Sequence, residues 1–317
     1  MRDRMPAKGG PYRVRPGQTL DVYPWFERDT GTIARFDARF ASRILNNTRG
    51  IRMYVPPSYR ENTLKRYPVI YMHDGQILFD ADMAIEDGLA KNGYGSWKLE
   101  NVMDTEIAAG RIPEAIVIGI DIVLELHPSD PTRQRTRELT PTPDDAFVGF
   151  GGTGQGTQYL RMILEELRPA VNARLRTRDD REHTFLLGSS LGGLMNVWAG
   201  LYHGDTFGAI ASLSTASYWD KEVVVARAQT LTMGSTTASR IYIDVGQDER
   251  ESGGDPKLNE SMPTAAQQER LEAALVRMGY VEDRTLMAVV DPAGKHHGAS
   301  WNKRAPVALS FLLGREL

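Results

Sequence analysis

The sequence contains no cysteine, has no long apolar run, and carries no marked excess of charge of one sign. Without cysteine, the chain has no disulfide, no thiolate nucleophile and no zinc site built on cysteine sulfur. No stretch approaches the roughly 18 consecutive apolar residues of a membrane-spanning helix, so we expect no membrane contact. The basic N-terminus is not followed by an apolar run of signal-peptide length, which predicts a cytoplasmic location.

The net charge and the length of the chain indicate which partners and how many domains to expect. The formal net charge is −3 over 317 residues with both signs interspersed, so we expect no nucleic-acid partner. A hydrophobic content of 41% is enough for a large core, and α/β chains of this size commonly form one domain. We therefore expect a partly ordered N-terminal arm over residues 1–30 and a single catalytic domain over 31–317. The pattern carries no signal of oligomeric state.

The hydrophobic pattern changes character along the chain. Residues 35–40 and 51–55 alternate between apolar and polar around a turn-like stretch at 46–50, which predicts an antiparallel pair with one wet face. Later apolar runs do not alternate, as is typical of strands buried on both faces of a parallel sheet. These runs are residues 68–72, 115–120, 184–187, 210–213, 241–245 and 286–290.

Helical periodicity separates several of these strands. Apolar residues recur at three-to-four spacing over residues 159–167 and 271–278, and Thr264 with Gln267 forms a candidate capping box. The pattern predicts a mostly parallel twisted sheet with an antiparallel N-terminal hairpin and helices on both faces. Residues 125–145 and 247–262 are predicted to be long polar loops near the carboxyl edge of this sheet, where ligands bind.

Residues 184–193, reading TFLLGSSLGG, carry the most specific motif. An apolar strand runs into Gly-x-Ser-x-Gly and a helix-compatible segment follows, which is the context of a nucleophile elbow. Glycine at positions 188 and 192 removes side chains that would collide at a sharp strand-to-helix turn. The spacing selects Ser190 rather than Ser189 as the nucleophile, and the N-terminus of the next helix favours developing negative charge.

A serine hydroxyl needs a neighbouring base, which in this arrangement follows the acid along the chain. His203 lies too close to the elbow to return to it, whereas His296 and His297 follow the last predicted strand. A loop after the final strand is where such a base is expected, and the pair leaves two candidates.

The acid is expected after the strand at 241–245, where Asp248 and Glu249 are adjacent. Counting three residues from Gly246, which ends the strand, favours Glu249, with Asp248 as the alternative. Asp244 lies inside the strand and is predicted to make a structural hydrogen bond. The acid would orient the imidazole and stabilise its cation.

The tetrahedral intermediate of ester cleavage needs two preorganised N–H donors. One is expected from Leu191, the residue after the nucleophile, and the other from the loop after the third strand. In that loop Gly75 lets the backbone turn, so the Gln76 N–H is the second candidate. His73 and Asp74 precede it without a further ligand cluster, so we expect no metal and no cofactor.

Several of these segments resemble one family. Residues 67–80, YPVIYMHDGQILFD, resemble the Putative esterase family, the enterobactin-esterase-like and feruloyl-esterase-like group of α/β-hydrolases. IRMYVPP at 51–57 is similar to its opening strand, RTRELTP at 135–141 to its Arg-x-x-Glu-Tyr-Thr-Pro stretch, and HHGASW at 296–301 to its His-x-x-x-x-Trp ending.

The resemblance covers residues 34–317 and implies the α/β-hydrolase fold, ester hydrolysis and a catalytic role for the first histidine, His296. The chain departs from the family pattern at Ile77, His297 and Gly298. These positions are expected near the pocket, so the resemblance does not carry a substrate with it.

We therefore expect a serine esterase that works through an acyl-enzyme intermediate on a small-molecule ester. A siderophore lactone, an aryl or acetyl sugar ester and another specialised metabolite are candidate substrates. Three residues are candidate substrate contacts: Arg135, alternatively a solvated loop residue; Trp219, alternatively packed beneath a loop; and His297. An acyltransferase, an amide or lactone hydrolase, and a catalytically silent hydrolase-fold binding protein remain alternatives.

Overall fold

The structure is a computed structural model that describes residues 30–79, 95–123, 131–145, 154–232, 239–249 and 262–314. Its centre is an eight-stranded sheet with strand order β1-β2-β4-β3-β5-β6-β7-β8. The strands are β1 Thr32–Ser42, β2 Asn47–Val55, β3 Val69–His73, β4 Ile116–Ile120, β5 Thr184–Ser189, β6 Ala209–Leu213, β7 Arg240–Gly246 and β8 Leu286–Asp291. β2 runs antiparallel to β1 and β4, and all pairs from β4 to β8 are parallel.

The described helices lie on both faces of this sheet. They are α1 Leu99–Ala108, α2 Pro131–Glu138, α3 Gly156–Arg161, α4 Arg168–Arg174, α5 Leu191–Tyr202, α6 Trp219–Thr230, α7 Ala265–Met278 and α8 Gly298–Leu313. One core cluster joins the sheet to α3 through α7, and the other joins its opposite face to α1 and α8. This arrangement confirms the mostly parallel sheet with an antiparallel N-terminal hairpin that the pattern predicted, and it is the α/β-hydrolase fold that the resemblance implied.

The predicted strands are confirmed. The apolar runs of the inner strands are buried on both faces, whereas in the edge strand β8 only Leu286 is buried. All residues of β3, β4, β5 and β6 are buried. The hairpin is also confirmed, but its turn occupies residues 43–46 rather than 46–50. Asn46 supplies the left-handed turn conformation at φ 51°. Asn47 and Arg49 belong to β2, where they pair with β1. Their side chains reach Glu138, a partner that local composition does not reveal.

The long loop predicted over residues 125–145 is wrong in part, because α2 lies inside it. The helix has no apolar stripe for sequence periodicity to detect, and tertiary ion pairs of Arg135 and Glu138 hold it in place instead. Of the other predicted loop, residues 250–261 lie outside the described part of the chain, as does the predicted N-terminal arm except for residue 30.

Both predicted helices are confirmed. Residues 159–167 lie in α3 and a π-helical turn, Met162–Leu167, that continues into α4. Helix α7 begins with the predicted capping box of Thr264 and Gln267 and ends at Gly279, whose φ is 116°. Within the described ranges, no helix has the length and apolar character needed to cross a membrane.

Candidate active site

Ser190 lies on the sharp turn between β5 and α5. Its φ of 59° and ψ of −124° are disfavoured for a residue with a side chain, so surrounding contacts must hold the turn. The Ser190 N–H donates to the Leu213 carbonyl at the end of β6 over 3.0 Å. Its carbonyl accepts from Leu194 in α5 and from Ala216 in the next loop, over 3.0 and 3.1 Å. The elbow is therefore tied to three neighbouring segments.

The glycines of the elbow let the end of β3 pack against it. A Cβ atom placed on Gly188 would lie 3.0 Å from the His73 ring, and one on Gly192 would lie 3.1 Å from its Cβ. The His73 ring nitrogens meet the Tyr159 hydroxyl at 2.9 Å and the Asn196 carbonyl oxygen at 2.8 Å. Burial lowers the pKa of His73, so its imidazole is neutral at neutral pH. The end of β3 thus lies beside the nucleophile turn.

His296 and Glu249 form a buried hydrogen-bonded pair across two loops. His296 Nδ1 lies 2.8 Å from Glu249 Oε2, and the two residues are 2% and 1% exposed. A carboxylate accepts hydrogen bonds, so we assign the proton of the neutral imidazole to Nδ1. The ring of Trp301 packs edge-on against His296 with 5.2 Å between ring centroids. Nε2 is then the nitrogen that can accept a proton.

The second carboxylate oxygen of Glu249 is also satisfied. Oε1 accepts from the Ser214 hydroxyl and from the Gly246 N–H, both at 2.6 Å. Burial on its own raises the pKa of Glu249, but hydrogen bonds from His296 and Ser214 and the nearby Arg304 charge outweigh it and lower the pKa. Glu249 is therefore a carboxylate at neutral pH.

The neighbouring candidates face different surroundings. The Asp248 side chain is half-buried, and no described residue hydrogen-bonds to its carboxylate, while its backbone N–H donates to Gly294 over 3.1 Å. His297 is the N-cap of α8, where its Nδ1 accepts from the Ala299 N–H over 3.1 Å. Asp248 and His297 therefore have different partners from their neighbours Glu249 and His296.

The backbone N–H groups of Leu191 and Gln76 make no hydrogen bond within their own helical turns. Leu191 is the first residue of α5, where N–H groups have no acceptor within the helix. Gln76 lies in a short 3₁₀ turn, Gly75–Ile77, whose two turn hydrogen bonds come from the N–H groups of Ile77 and Leu78. The Gln76 N–H takes no part in them. The Gln76 side chain makes two hydrogen bonds with the backbone of Ile122, which follows β4.

Comparison with known proteins identifies the family. The family described as "Putative esterase" matches residues 42–312. This chain belongs to that family. It is an esterase, a hydrolase of carboxylic esters, and it has the α/β-hydrolase fold.

Individual relatives of the esterase are distant. It is 26% identical over 273 residues to "Uncharacterized protein YbbA" of Bacillus subtilis, covering 84% of this chain and 93% of that one. A solved ferulic acid esterase superposes with a TM-score of 0.65 at 19% identity, over 90% of this chain and 98% of the other. The enterobactin esterase of Shigella flexneri gives 0.61 at 18% identity, over 89% and 59%.

The remaining predicted contacts of the esterase have partners within the protein. Arg135 grips the Asp74 carboxylate with two hydrogen bonds, of 2.6 Å from Nε and 2.9 Å from a terminal nitrogen. Trp219 is 1% exposed, and its indole N–H donates to the Thr142 carbonyl over 2.9 Å. This burial favours packing beneath a loop over lining a pocket.

Sequence reasoning missed the residues that support Glu249. The Ser214 hydroxyl, which donates to Glu249, accepts from the Trp301 indole and from Arg304, both at 2.9 Å. Arg304 also pairs with Asp244 at 2.7 Å in the buried interior. These contacts join residues 35 to 90 positions apart, so no local sequence pattern predicts them. Asp244 does make the structural hydrogen bonds that its place inside the strand suggested.

Metal-ligating side chains do not cluster in the described part of the esterase. There, no group of three or more His, Cys, Asp or Glu residues could hold a metal ion. His73, the ring nearest the elbow glycines, uses both nitrogens on protein partners.

Proposed function

We propose that this esterase cleaves its substrate through an acyl-enzyme intermediate, with Ser190 as nucleophile, His296 as general base and Glu249 as the acid that orients His296. The observation that carries the proposal is the buried 2.8 Å contact between His296 Nδ1 and Glu249 Oε2. A buried carboxylate on Nδ1 fixes the tautomer whose Nε2 is a base. The elbow at Ser190 supplies a nucleophile of the matching kind.

The proposed reaction has two halves. In acylation the Ser190 oxygen attacks the ester carbonyl while His296 Nε2 takes the hydroxyl proton, and the imidazolium then gives that proton to the leaving alcohol. In deacylation the same nitrogen takes a proton from water, which attacks the acyl-enzyme. The N–H groups of Leu191 and Gln76 are proposed to stabilise the oxyanion in both halves. The ionised Glu249 stabilises each imidazolium by charge.

The substrate is proposed to be a small-molecule carboxylic ester. The structural neighbours include a ferulic acid esterase and an enterobactin esterase. A hydroxycinnamate ester and a catecholate trilactone therefore belong in an ester panel beside p-nitrophenyl acetate. The proposed machinery acts on the carbonyl carbon, and groups further along the acyl chain and alcohol determine which of these is turned over.

The test is covalent labelling combined with turnover. A fluorophosphonate probe should label the wild-type protein, and Ser190→Ala should abolish both labelling and p-nitrophenyl acetate hydrolysis. Loss of a triad nucleophile typically costs several orders of magnitude in kcat. Ser189→Ala is the matched control, since Ser189 is the adjacent buried serine at the end of β5. It should keep much of the activity.

Two outcomes would contradict the proposal. Retention of labelling and turnover in Ser190→Ala would exclude Ser190 as the nucleophile. A large loss of activity on EDTA treatment that zinc or manganese restores would replace the serine mechanism with a metal-dependent one. Absence of both labelling and ester turnover in the wild-type protein would instead indicate a catalytically silent binding protein.

A further inference from the structure

Asp74 opens the turn that carries Gln76, and its backbone is left-handed. Its φ is 56° and its ψ is 46°. This region is disfavoured for residues other than glycine, although aspartate tolerates it better than most. Tertiary contacts must therefore hold the turn in the form that presents the Gln76 N–H.

Arg135 holds the Asp74 carboxylate with two hydrogen bonds. Its Nε lies 2.6 Å from Oδ1 and a terminal nitrogen lies 2.9 Å from Oδ2. The Asp74 side chain is 10% exposed and that of Arg135 is 23% exposed. Two parallel hydrogen bonds fix the orientation of the carboxylate as well as its position.

Arg135 is itself fixed, because α2 is anchored one turn further on. Glu138 lies three residues after Arg135, so both side chains project from one face of the helix. The buried Glu138 carboxylate accepts from both terminal nitrogens of Arg49 in β2, at 2.9 and 2.8 Å. Gln134 donates to the same carboxylate over 2.8 Å. Helix α2 therefore connects β2 to the turn after β3 through side-chain hydrogen bonds.

Gly75 and Gln76, the next two residues of the turn, are restrained by other contacts. The Gln76 side chain exchanges two hydrogen bonds with the backbone of Ile122, of 2.8 and 3.0 Å. A Cβ atom on Gly75 would collide with the Asp121 carboxylate, which Arg52 holds at 2.8 Å. These contacts restrain Gly75 and Gln76, and Arg135 restrains the left-handed residue that precedes them.

We propose that Arg135, acting through Asp74, is a positioning residue for the oxyanion donor at Gln76. This inference rests on the proposed function, in which that N–H stabilises the oxyanion. It differs from a direct contact between Arg135 and substrate, because two of its N–H groups are committed to Asp74. A donor displaced by about 1 Å loses on the order of 100-fold in rate. The loss falls on kcat, since the donor acts on charge that develops in the transition state.

The experiment is a double-mutant cycle on a neutral ester. Arg135→Gln, Arg135→Lys, Asp74→Asn and the double variant Arg135→Gln/Asp74→Asn are assayed with p-nitrophenyl butyrate at 25 °C, after circular dichroism shows each folded. We expect Arg135→Gln and Asp74→Asn each to lower kcat by about 10- to 100-fold, with KM changed little. Arg135→Lys keeps the positive charge but loses the two parallel N–H donors of the guanidinium, so its kcat should lie between those of wild type and Arg135→Gln. The double variant should be no worse than the poorer single one.

The control pair has the same chemistry away from the site. Arg161 and Glu165 form an exposed ion pair with the same forked geometry, at 2.8 and 3.0 Å. Arg161→Gln and Glu165→Gln should leave kcat unchanged. If Arg135→Gln fails to fold, the kcat of Asp74→Asn still tests the proposal. Asp74→Asn keeps the side-chain shape, and the group it leaves without its ionic partner is a partly exposed guanidinium rather than a buried carboxylate.

Three results would overturn the inference. They are a wild-type kcat in Asp74→Asn, losses that add in the double variant, and a defect confined to KM for a negatively charged ester such as 4-nitrophenyl succinate. The last result, seen in the Arg135 variants and absent from Asp74→Asn, would assign Arg135 to substrate binding. Failure of the proposed function would look different, since Ser190→Ala would then keep its activity.

Discussion

Replacing Glu249 with glutamine tests the acid of the proposed triad most sharply. The change keeps the shape of the side chain and removes its charge. Oε1 accepts from the Gly246 backbone N–H at 2.6 Å, and a backbone N–H can only donate. The glutamine must therefore place its oxygen on that side and its NH₂ group against His296 Nδ1, at the position where Oε2 lies 2.8 Å away.

That orientation forces the wrong tautomer on His296. An NH₂ donor facing Nδ1 requires Nδ1 to be the acceptor, which moves the imidazole proton to Nε2, the nitrogen that should take the serine proton. The corresponding Asp→Asn change in a serine protease lowers kcat about 10⁴-fold. We expect a loss of the same order for Glu249→Gln, equivalent to about 5 kcal/mol of transition-state stabilisation.

Asp248→Asn is the matched control on the adjacent residue. The Asp248 side chain is half-buried, and no described residue hydrogen-bonds to its carboxylate. We expect its kcat to stay within about threefold of wild type, the size of an ordinary surface substitution. The assay is kcat on p-nitrophenyl acetate, with the burst and the steady state recorded together. A severe defect in Asp248→Asn beside a near-normal Glu249→Gln would refute the assignment.

Two further predictions concern histidines. His296→Ala should inactivate the enzyme, whereas His297→Ala should lose the α8 cap to Ala299 and about 1 kcal/mol of unfolding free energy in urea, and His297→Asn, which keeps an acceptor, should lose less. Equal inactivation by both alanine variants would contradict the separation of roles. Because burial lowers the pKa of His73 in the folded state, this site binds more protons in the unfolded chain below about pH 6.5, so His73 contributes a rise of the unfolding free energy with pH up to that value. His73→Gln should flatten this rise between pH 5 and 7, and an unchanged slope would show that His73 is not its source.

The sheet could be predicted because its signal is local. Strands β3 to β6 are buried along their whole length, so each reads as an uninterrupted apolar run. The elbow is also local, since Gly-x-Ser-x-Gly between strand and helix fits within ten residues. The close approach of His73 to Gly188 and Gly192 adds a tertiary reason for the same glycines that the motif alone does not contain.

Helix α2 could not be predicted because its stabilisation is not local. Its segment PTRQRTRE has no apolar face, and it is fixed by Glu138 on Arg49 and Arg135 on Asp74. Those partners are 89 and 61 residues away in sequence. The same limit applies to Ser214, which follows β6 and contacts groups 35 to 90 residues distant. Charged and hydroxyl side chains in loops look solvated until the fold brings their partners to them.

Burial distinguishes Glu249 from Asp248, which adjacency in the sequence does not. Sequence spacing brings both carboxylates to the end of β7, and a count from Gly246 favours one of them without a physical reason. In the fold Glu249 is 1% exposed and receives a hydrogen bond from each of Ser214 and Gly246. A carboxylate so placed is ionised and rigid, which are the two properties that the proposed orienting role requires.

Arg304 explains how two buried carboxylates can coexist beside His296. Asp244 and Glu249 raise each other's proton affinity, and an isolated buried carboxylate would be neutralised rather than ionised. Arg304 lies 2.7 Å from Asp244 and 3.6 Å from Glu249 Oε1, and it donates to Ser214 between them. Burial still raises the pKa of Asp244 to about 6, whereas the pKa of Glu249 is lowered. One guanidinium thus offsets the strand carboxylate and leaves a full negative charge on the carboxylate that touches the imidazole. In the proposed mechanism this is the charge that compensates the imidazolium, so the arginine on α8 and the hydroxyl of Ser214 stabilise the acid by charge and by hydrogen bonding.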